Sequence, residues 1–254
     1  MQTRLLTYAG QSVALPDMPR YAKFYAKLAS GTWEPRTFAV LGRNLDASTT
    51  YLDIGAWIGV TPFWAAGVAG HVIAVEPDPA CRDILRTLAP AYPNLTLLEG
   101  ALSPDATVTL NAVDGFGSSE SSVLAIGTGT SEAVPGWTMT AILALAPAGP
   151  IYAKIDIEGY EYMVQREVWA LLDADLKGLQ LAVHPGLYAQ TLPGPRLWRT
   201  CRAVVATWRL ARPFIRRFAA VSVHKHRSLL AYLLFGILLK ADPRGTDLVF
   251  ETAR

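Results

Sequence analysis

The chain has 254 residues, 51 % hydrophobic and 17 % charged, enough apolar material for one large domain, or one domain with an appendage, around a substantial core. Its net charge of +2 is too small to argue for a nucleic-acid partner, and its mean hydropathy of +0.24 is high for a soluble chain. Cys81 and Cys201 are far apart in sequence, fit no metal-ligand spacing and read as free thiols of a reducing cytoplasm.

Residues 1–17 read as a short strand pair or a loose lead-in, with no signal-peptide core. Residues 19–30 are helical in pattern and rich in Tyr, Phe and Lys. The stretch Gly31-Thr32-Trp33-Glu34-Pro35 breaks that pattern, and Pro35 suits the first turn of a helix over 36–45. This front section, residues 1–48, is expected to lid the site of a domain formed by residues 49–254. Glu34 has two readings: a carboxylate at a helix N-terminus, or a group reaching the amino acid end of a ligand.

Residues 50–59, TYLDIGAWIG, read as the first strand of an open α/β sheet and the tight turn behind it. Gly55 lets the turn bend without a Cβ clash, and Gly59 lets backbone approach a ligand and the next helix. Asp53 sits at the strand end, at the mouth of such a sheet. A dinucleotide fingerprint would be Gly-x-Gly-x-x-Gly, with amides cradling a pyrophosphate. Here the spacing is Asp-x-Gly-x-x-x-Gly. A carboxylate at the turn repels phosphate and attracts an amine, which points to S-adenosylmethionine (SAM), a cation without phosphate. An NAD-dependent oxidoreductase lacks its glycine spacing here.

A second buried-type strand, residues 71–76, ends in Glu76, about 20 residues beyond the turn, where a carboxylate takes both ribose hydroxyls of an adenosine. Ala56 in the turn and Pro77 after the strand join the cofactor-binding set. Residues 94–98 are a third strand, and the loop 99–103 after it is placed beside the adenine. Strand and helix alternate to this point, the pattern of parallel βαβ units.

Residues 103–150 read as an insertion that shapes an acceptor pocket. Within it 107–110 alternates as a strand, 114–122 is a Gly/Ser loop, 123–126 is a candidate strand and 138–146 a short helix. Residues 151–157, IYAKIDI, are the fourth core strand, and 158–161 turn into a helix to about Leu172. Asp156 ends an apolar strand, with Lys154 two residues back on the same face. Glu161 has an ordinary reading as a helix N-terminal charge. Residues 179–183 are the fifth strand, closed by His184 and Pro185. On this reading Asp53, Glu76, Asp156 and His184 lie along one rim.

The tail, residues 195–245, is a basic helical stretch interleaved with Trp198 and Trp208, followed by an apolar run over 229–239 too short to span a bilayer. It reads as a buried helix or strand with a snorkelling basic face, or as a patch for peripheral contact with an anionic membrane. Residues 247–251 read as a last strand, pairing antiparallel.

In this order and at these separations LDIGAWIG, AVEPDP, GALS, GSSESS and KIDIEGYE resemble the FkbM-type SAM-dependent methyltransferases, from about residue 31 to residue 184. KIDIEGYE is the most specific piece, and GTWEP upstream is also similar. The resemblance implies an α/β, Rossmann-like class I methyltransferase fold, a seven-stranded mostly parallel sheet with helices on both faces. It implies O-methylation of a hydroxyl on a sugar, glycan or polyketide-like product. By the same resemblance Asp53, Gly55 and Gly59 line the methionine end of SAM, Glu76 holds the ribose, and Ala101 sits by the adenine. Asp156 and Glu158 face the reacting centre. Many members end the fifth strand in Glu-x-His, whereas Ala182-Val183-His184 keeps only the histidine.

An alcohol is a poor nucleophile, so a base near its proton helps; Glu158, His184 and Asp156 are the candidates. A second route places Mg²⁺ on Asp156 and neighbouring oxygens. No complete ligand set is visible, so metal-free base catalysis ranks first. The competing class is a SAM- or nucleotide-binding module without chemistry, attached to a membrane through its tail. The acceptor and the oligomeric state are not written in these motifs.

Overall fold

A computed structural model describes residues 2–112, 115–118, 121–124, 129–238 and 245–252. The chain opens with a hairpin, β1 (Thr3–Tyr8) against β2 (Gln11–Pro16). Its turn residues Ala9 and Gly10 both have positive φ, as a two-residue hairpin turn matched to strand twist requires. Helices α1 (Ala22–Ala29) and α2 (Pro35–Asn44) follow, with Pro35 in the first turn of α2. Next come β3 (Thr50–Ile54), α3 (Val60–Ala66), β4 (His71–Glu76), α4 (Pro79–Leu88) and β5 (Leu95–Glu99). The middle of the chain supplies β6 (Ala101–Leu102), β7 (Thr107–Ala112), β8 (Thr130–Trp137) and α5 (Met139–Leu143). Then follow β9 (Ile151–Ile155), α6 (Gln165–Ala170), β10 (Leu176–Val183), α7 (Pro185–Thr191), α8 (Arg196–Arg217), β11 (Ala220–Val223) and β12 (Thr246–Glu251).

The central sheet has seven strands in the order β11-β12-β10-β9-β3-β4-β5. The five from β10 to β5 are parallel, and β12 runs antiparallel to both its neighbours. Side chains alternate between the two faces of each strand, and each face carries its own core. Leu52, Ile54, Ile73, Ile155 and Leu181 pack with Leu210 and Phe214 of α8 on one side. Tyr51, Val72, Ala74 and Tyr152 pack with Leu15, Phe38, Phe63 and Trp64 on the other. Asp53 and Lys154 fall on this second face and stand opposite one another in the β3–β9 register.

The insertion folds as a small sheet, β6-β8-β7. Here the structure corrects the sequence reading. The loop expected over 99–103 contains β6, and β8 was not expected at all. Pro135 and Gly136 lie in β8 and break the strand pattern. Val123 and Leu124 are outside any strand; the rest of the strand expected over 123–126, and Asp114, Ser119 and Glu120 of the Gly/Ser loop, lie outside the described residues. The fourth strand stops at Ile155. The helix expected from 158 is broken into a 3-10 turn at Tyr160–Tyr162, α6, and a second 3-10 turn at Leu171–Asp173. Glu158 and Gly159 both have positive φ, which a right-handed helix cannot include. β10 begins at Leu176, earlier than expected.

In the tail, α8 buries Ala203, Ala206, Thr207, Leu210, Ala211 and Phe214 along one face. The unexpected β11 pairs with β12. The apolar run forms a turn of α-helix, Leu229–Ala231, and a π-helix, Tyr232–Leu238; Leu239 lies outside the described residues. Among the described residues no helix is long and apolar enough to cross a membrane.

Phe250 of β12 is fully buried, with its ring centroid 5.5 Å from Phe214 and 6.4 Å from Phe218. It ties the antiparallel strand to α8. Phe250→Ala is expected to cost about 3–5 kcal/mol, read from the midpoint of denaturant unfolding at unchanged slope.

Candidate active site

Because β4, β3, β9 and β10 are parallel neighbours, their carboxyl ends share one edge, where open α/β sheets bind ligands. Gly55 follows β3 with φ +91°, and a Cβ there would lie 2.0 Å from the carbonyl oxygen of Asp156. Only glycine lets these two strand ends come so close. Gly59 has a different duty: its Cβ would strike the Phe63 ring and Leu85, so it serves the packing of α3 and α4. Asp53 is wholly buried beneath the turn. One of its carboxylate oxygens accepts from Thr61 Oγ1 at 2.5 Å; the other is 3.9 Å from Lys154 Nζ and accepts no hydrogen bond. Burial raises its pKa, partly offset by Lys154 and Thr61.

Glu76 closes β4, and both its oxygens are engaged. Oε2 accepts the Trp57 amide at 2.7 Å and Oε1 the Asp78 amide at 2.8 Å. Burial pushes its pKa up to about 8 against the pull of those two amides. Asp78 is buried as well. Its Oδ1 accepts from the amides of Ala80 and Cys81, capping α4. Its Oδ2 accepts from the Gly117 amide at 2.8 Å and Ser121 Oγ at 2.6 Å, fastening the Gly/Ser loop to the sheet edge.

A second cluster lies at the ends of β9 and β10. Lys154 Nζ donates to Asp156 Oδ2 at 3.2 Å. Burial opposes the lysine's charge, but Asp156, Asp53 and Glu34 outweigh it and hold its pKa above the ordinary value. Burial likewise works to raise Asp156, yet Lys154 and His184 outweigh it and hold the carboxyl below its ordinary range. His184 Nε2 is 3.7 Å from Asp156 Oδ1 and 3.6 Å from Glu158 Oε2, and Nδ1 is 3.4 Å from Glu161 Oε1. Burial disfavours the imidazolium, but Glu161, Glu158 and Asp156 push its pKa up to about 10. Glu161, fully buried, accepts from the Gly159 amide at 2.8 Å and the His184 amide at 2.7 Å. It clips the two strand ends together. Glu161 thus stands in the first turn of a 3-10 helix, as its helix-terminal reading has it, and also holds the end of β10. Asp156, Glu158 and His184 offer donor atoms within 4.8 Å of one another, the spacing of a divalent-ion site.

Two clefts open at this edge and share Gly55, Trp57, Ser118, Asp156 and Glu158. The smaller adds Glu76, Pro77, Ala101 and Tyr160. The other, of about 1560 Å³, adds Glu34, Ala56, Lys154 and the front section through Arg20, Tyr21, Phe24 and Trp33. The front section roofs the turn. Trp57 packs edge-on against Tyr21 and Phe24, and the Tyr21 hydroxyl donates to the Gly117 carbonyl at 2.9 Å. Glu34, Trp57 and Glu158 all have positive φ, a strain that collects at ligand sites.

Of the residues expected from sequence, Gly55, Glu76, Pro77, Ala101, Asp156 and Glu158 line the smaller cleft, and Glu34 and Ala56 the larger. Asp53 and Gly59 line neither. His184 stands behind Asp156 and Glu158. Trp57, Asp78, Lys154 and Ser121 were not singled out as site residues. Trp57 carries no titratable signal. Asp78, before Pro79 and α4, has the appearance of a plain helix cap.

No family model and no curated protein matches the chain. Among solved structures it is similar to an rRNA methylase from Streptococcus thermophilus, with 10 % identity over 86 % of this chain and 95 % of that one and a TM-score of 0.49. A Streptococcus mutans protein in complex with SAH gives 10 % identity, 86 % and 97 % coverage and a TM-score of 0.49. The methyltransferase FkbM from Methylobacillus flagellatus gives 16 % identity, 93 % and 56 % coverage and a TM-score of 0.47. The chain's own strand order, with the antiparallel β12 inserted beside β10, is that of a Rossmann-like class I methyltransferase fold.

With its pKa raised from 4.5 to about 8, Glu76 keeps a proton in the native state across a window where the unfolded chain has lost it. Stability therefore falls as pH rises through that window. Glu76→Gln is expected to flatten the slope between these limits, measured by denaturant unfolding at stepped pH. An unchanged slope places the proton elsewhere.

Proposed function

We propose that the chain is a SAM-dependent O-methyltransferase of the FkbM type, acting on a hydroxyl of a sugar, glycan or polyketide-like product. One observation carries the reading: the smaller cleft at the carboxyl edge is lined by acidic side chains and, among the described residues, by no lysine or arginine. Glu76, Asp156 and Glu158 line it, whereas the larger cleft sets Glu34, Asp156 and Glu158 against Arg20, Lys23, Lys27 and Lys154. The surface of the smaller cleft favours a cationic ligand and disfavours a phosphate-bearing one. The residues present fit an adenosyl group. Glu76 is fixed by two backbone amides with lone pairs left for hydroxyl donors. The buried Trp57 Nε1 has no acceptor of its own.

SAM supplies a methyl group already activated on sulfonium. The protein's part is to align an acceptor oxygen with it, an effect worth several kcal/mol, and to take the acceptor's proton. Glu158 is the proton acceptor in this reading. It lines both clefts, whereas His184 is held as an imidazolium by its three carboxylate neighbours and Asp156 is held ionised and weakly basic by Lys154. His184 then positions Glu158 through the 3.6 Å contact. The aromatic roof of Tyr21, Phe24 and Trp33 limits water at the turn, which strengthens the charge interactions beneath it.

Transfer of labelled methyl from SAM to hydroxyl-bearing acceptors tests the reading. Glu158→Gln is expected to lower kcat by about 10²–10⁴ with donor affinity near normal. Glu76→Ala is expected to weaken donor binding in calorimetry. Normal donor affinity in the Glu76 variant would overturn the cofactor assignment, and an unaltered kcat in the Glu158 variant would remove it as the base.

A further inference from the structure

The net charge of +2 conceals a partition. Residues 176–241 carry eleven Lys and Arg and no Asp or Glu, while the rest of the chain carries twelve Lys and Arg and all twenty-one acids. Seven of those eleven are arginines of α8. Arg202, Arg209, Arg212, Arg216 and Arg217 are exposed, and none of the five forms an ion pair among the described residues.

The face that α8 turns to solvent is also apolar. Leu197 is 69 % exposed, Trp198 60 %, Val205 49 % and Trp208 44 %. Positions 197, 201, 205, 208 and 212 recur at helical spacing, so these side chains form one stripe. It lies opposite the face of Ala203, Leu210 and Phe214 that packs on the sheet. A groove of about 660 Å³ runs beside it, lined by Trp198, Val205, Arg202 and Arg209 with Tyr188 of α7. The segment 229–238, packed against α8, adds exposed Leu230 and Phe235.

From this pairing of unpaired arginines with an apolar stripe we propose that α8 and the segment after it dock the protein on the surface of a bilayer bearing anionic lipid. Arginines beside the stripe meet the headgroups, and the tryptophans and aliphatic chains enter the boundary below them. Trp belongs at that depth, with an apolar body and a polar N–H. A second copy meeting it through the same face is a poor occupant, because it would bring a like positive field against the first. Nucleic acid would satisfy the arginines but leaves Leu197, Val205, Leu230 and Phe235 without a partner. α7 starts just after His184 and reaches the groove through Tyr188, so docking fixes the β10 corner of the site relative to the membrane. The proposal does not rest on the methyltransfer reading.

The full chain is mixed with vesicles of phosphatidylcholine alone and of equal parts phosphatidylcholine and phosphatidylglycerol, then sedimented. Binding is expected to the mixed vesicles, with a blue shift of tryptophan fluorescence, and to weaken by about tenfold or more at high salt. Arg202→Glu with Arg209→Glu alters only exposed groups and is expected to lose about tenfold in vesicle affinity. Trp198→Ala with Trp208→Ala is expected to lose binding and the blue shift together. Circular dichroism checks that each variant is folded, and the wild-type comparison stands without them. No binding to either vesicle, equal binding to both, or unchanged binding in both variants overturns the proposal. So does tighter binding to single-stranded RNA than to the mixed vesicles, or a stable dimer in sedimentation velocity that buries Trp198 and Trp208.

Discussion

The carboxyl edge of the sheet depends on one buried ammonium. Lys154 stands opposite Asp53 across two central strands and donates to Asp156 at the end of its own. Two carboxylates on adjacent buried strands would repel one another and pay heavily for lost hydration. Burial alone would also strip the lysine of its proton. With three carboxylates facing it the balance goes the other way, and the group stays charged. The β3–β9 hydrogen-bond ladder brings the Gly55 turn against the Asp156 carbonyl, and the cation offsets the repulsion of the carboxylates gathered there. The glycine is thus a consequence of the strand approach, and the carboxylates gathered at that approach rest on the lysine.

Around that centre the carboxylates divide into two kinds. Asp78 and Glu161 direct both oxygens to protein donors, and Glu161 reaches amides on two different segments. An ionised acceptor held by two or more N–H groups is strongly fixed, so these residues act as clips that set the Gly/Ser loop and the β9–β10 corner. Glu76 is intermediate, anchored by two amides yet still facing the smaller cleft. Glu34, Asp156 and Glu158 face open space. The negative character of the smaller cleft comes from Asp156 and Glu158, and their placement comes from the clips.

The parallel half of the sheet was legible because burial on both faces leaves continuous apolar runs, and β4 was read to its residue limits, His71 to Glu76. The antiparallel additions were harder. β8 hides behind Pro135 and Gly136, and β11 is a four-residue edge strand whose pairing depends on the distant β12. At the site, the carboxylates were visible as strand-end charges, but their division into clips and open groups was not. Glu161 has the local context of a helix-terminal charge. Its work is to bind the His184 amide, 23 residues away, and no local pattern encodes that contact. Asp78 is the same case, since its Oδ2 partners lie 39 and 43 residues downstream.

Averages hide in the same way that long-range contacts do. A formal charge of +2 describes a nearly neutral object, yet this molecule has a carboxylate-lined edge and an arginine-lined helix. Fields at a surface are set by charges within about a Debye length, about 8–10 Å, so the two regions act independently on whatever approaches them. The argument from net charge against nucleic acid holds for the chain as a sphere and says nothing of either patch. What the fold adds to the sequence is the segregation. It places the acids of the strand ends on one edge and stacks the arginines along one helix, giving two surfaces of opposite preference.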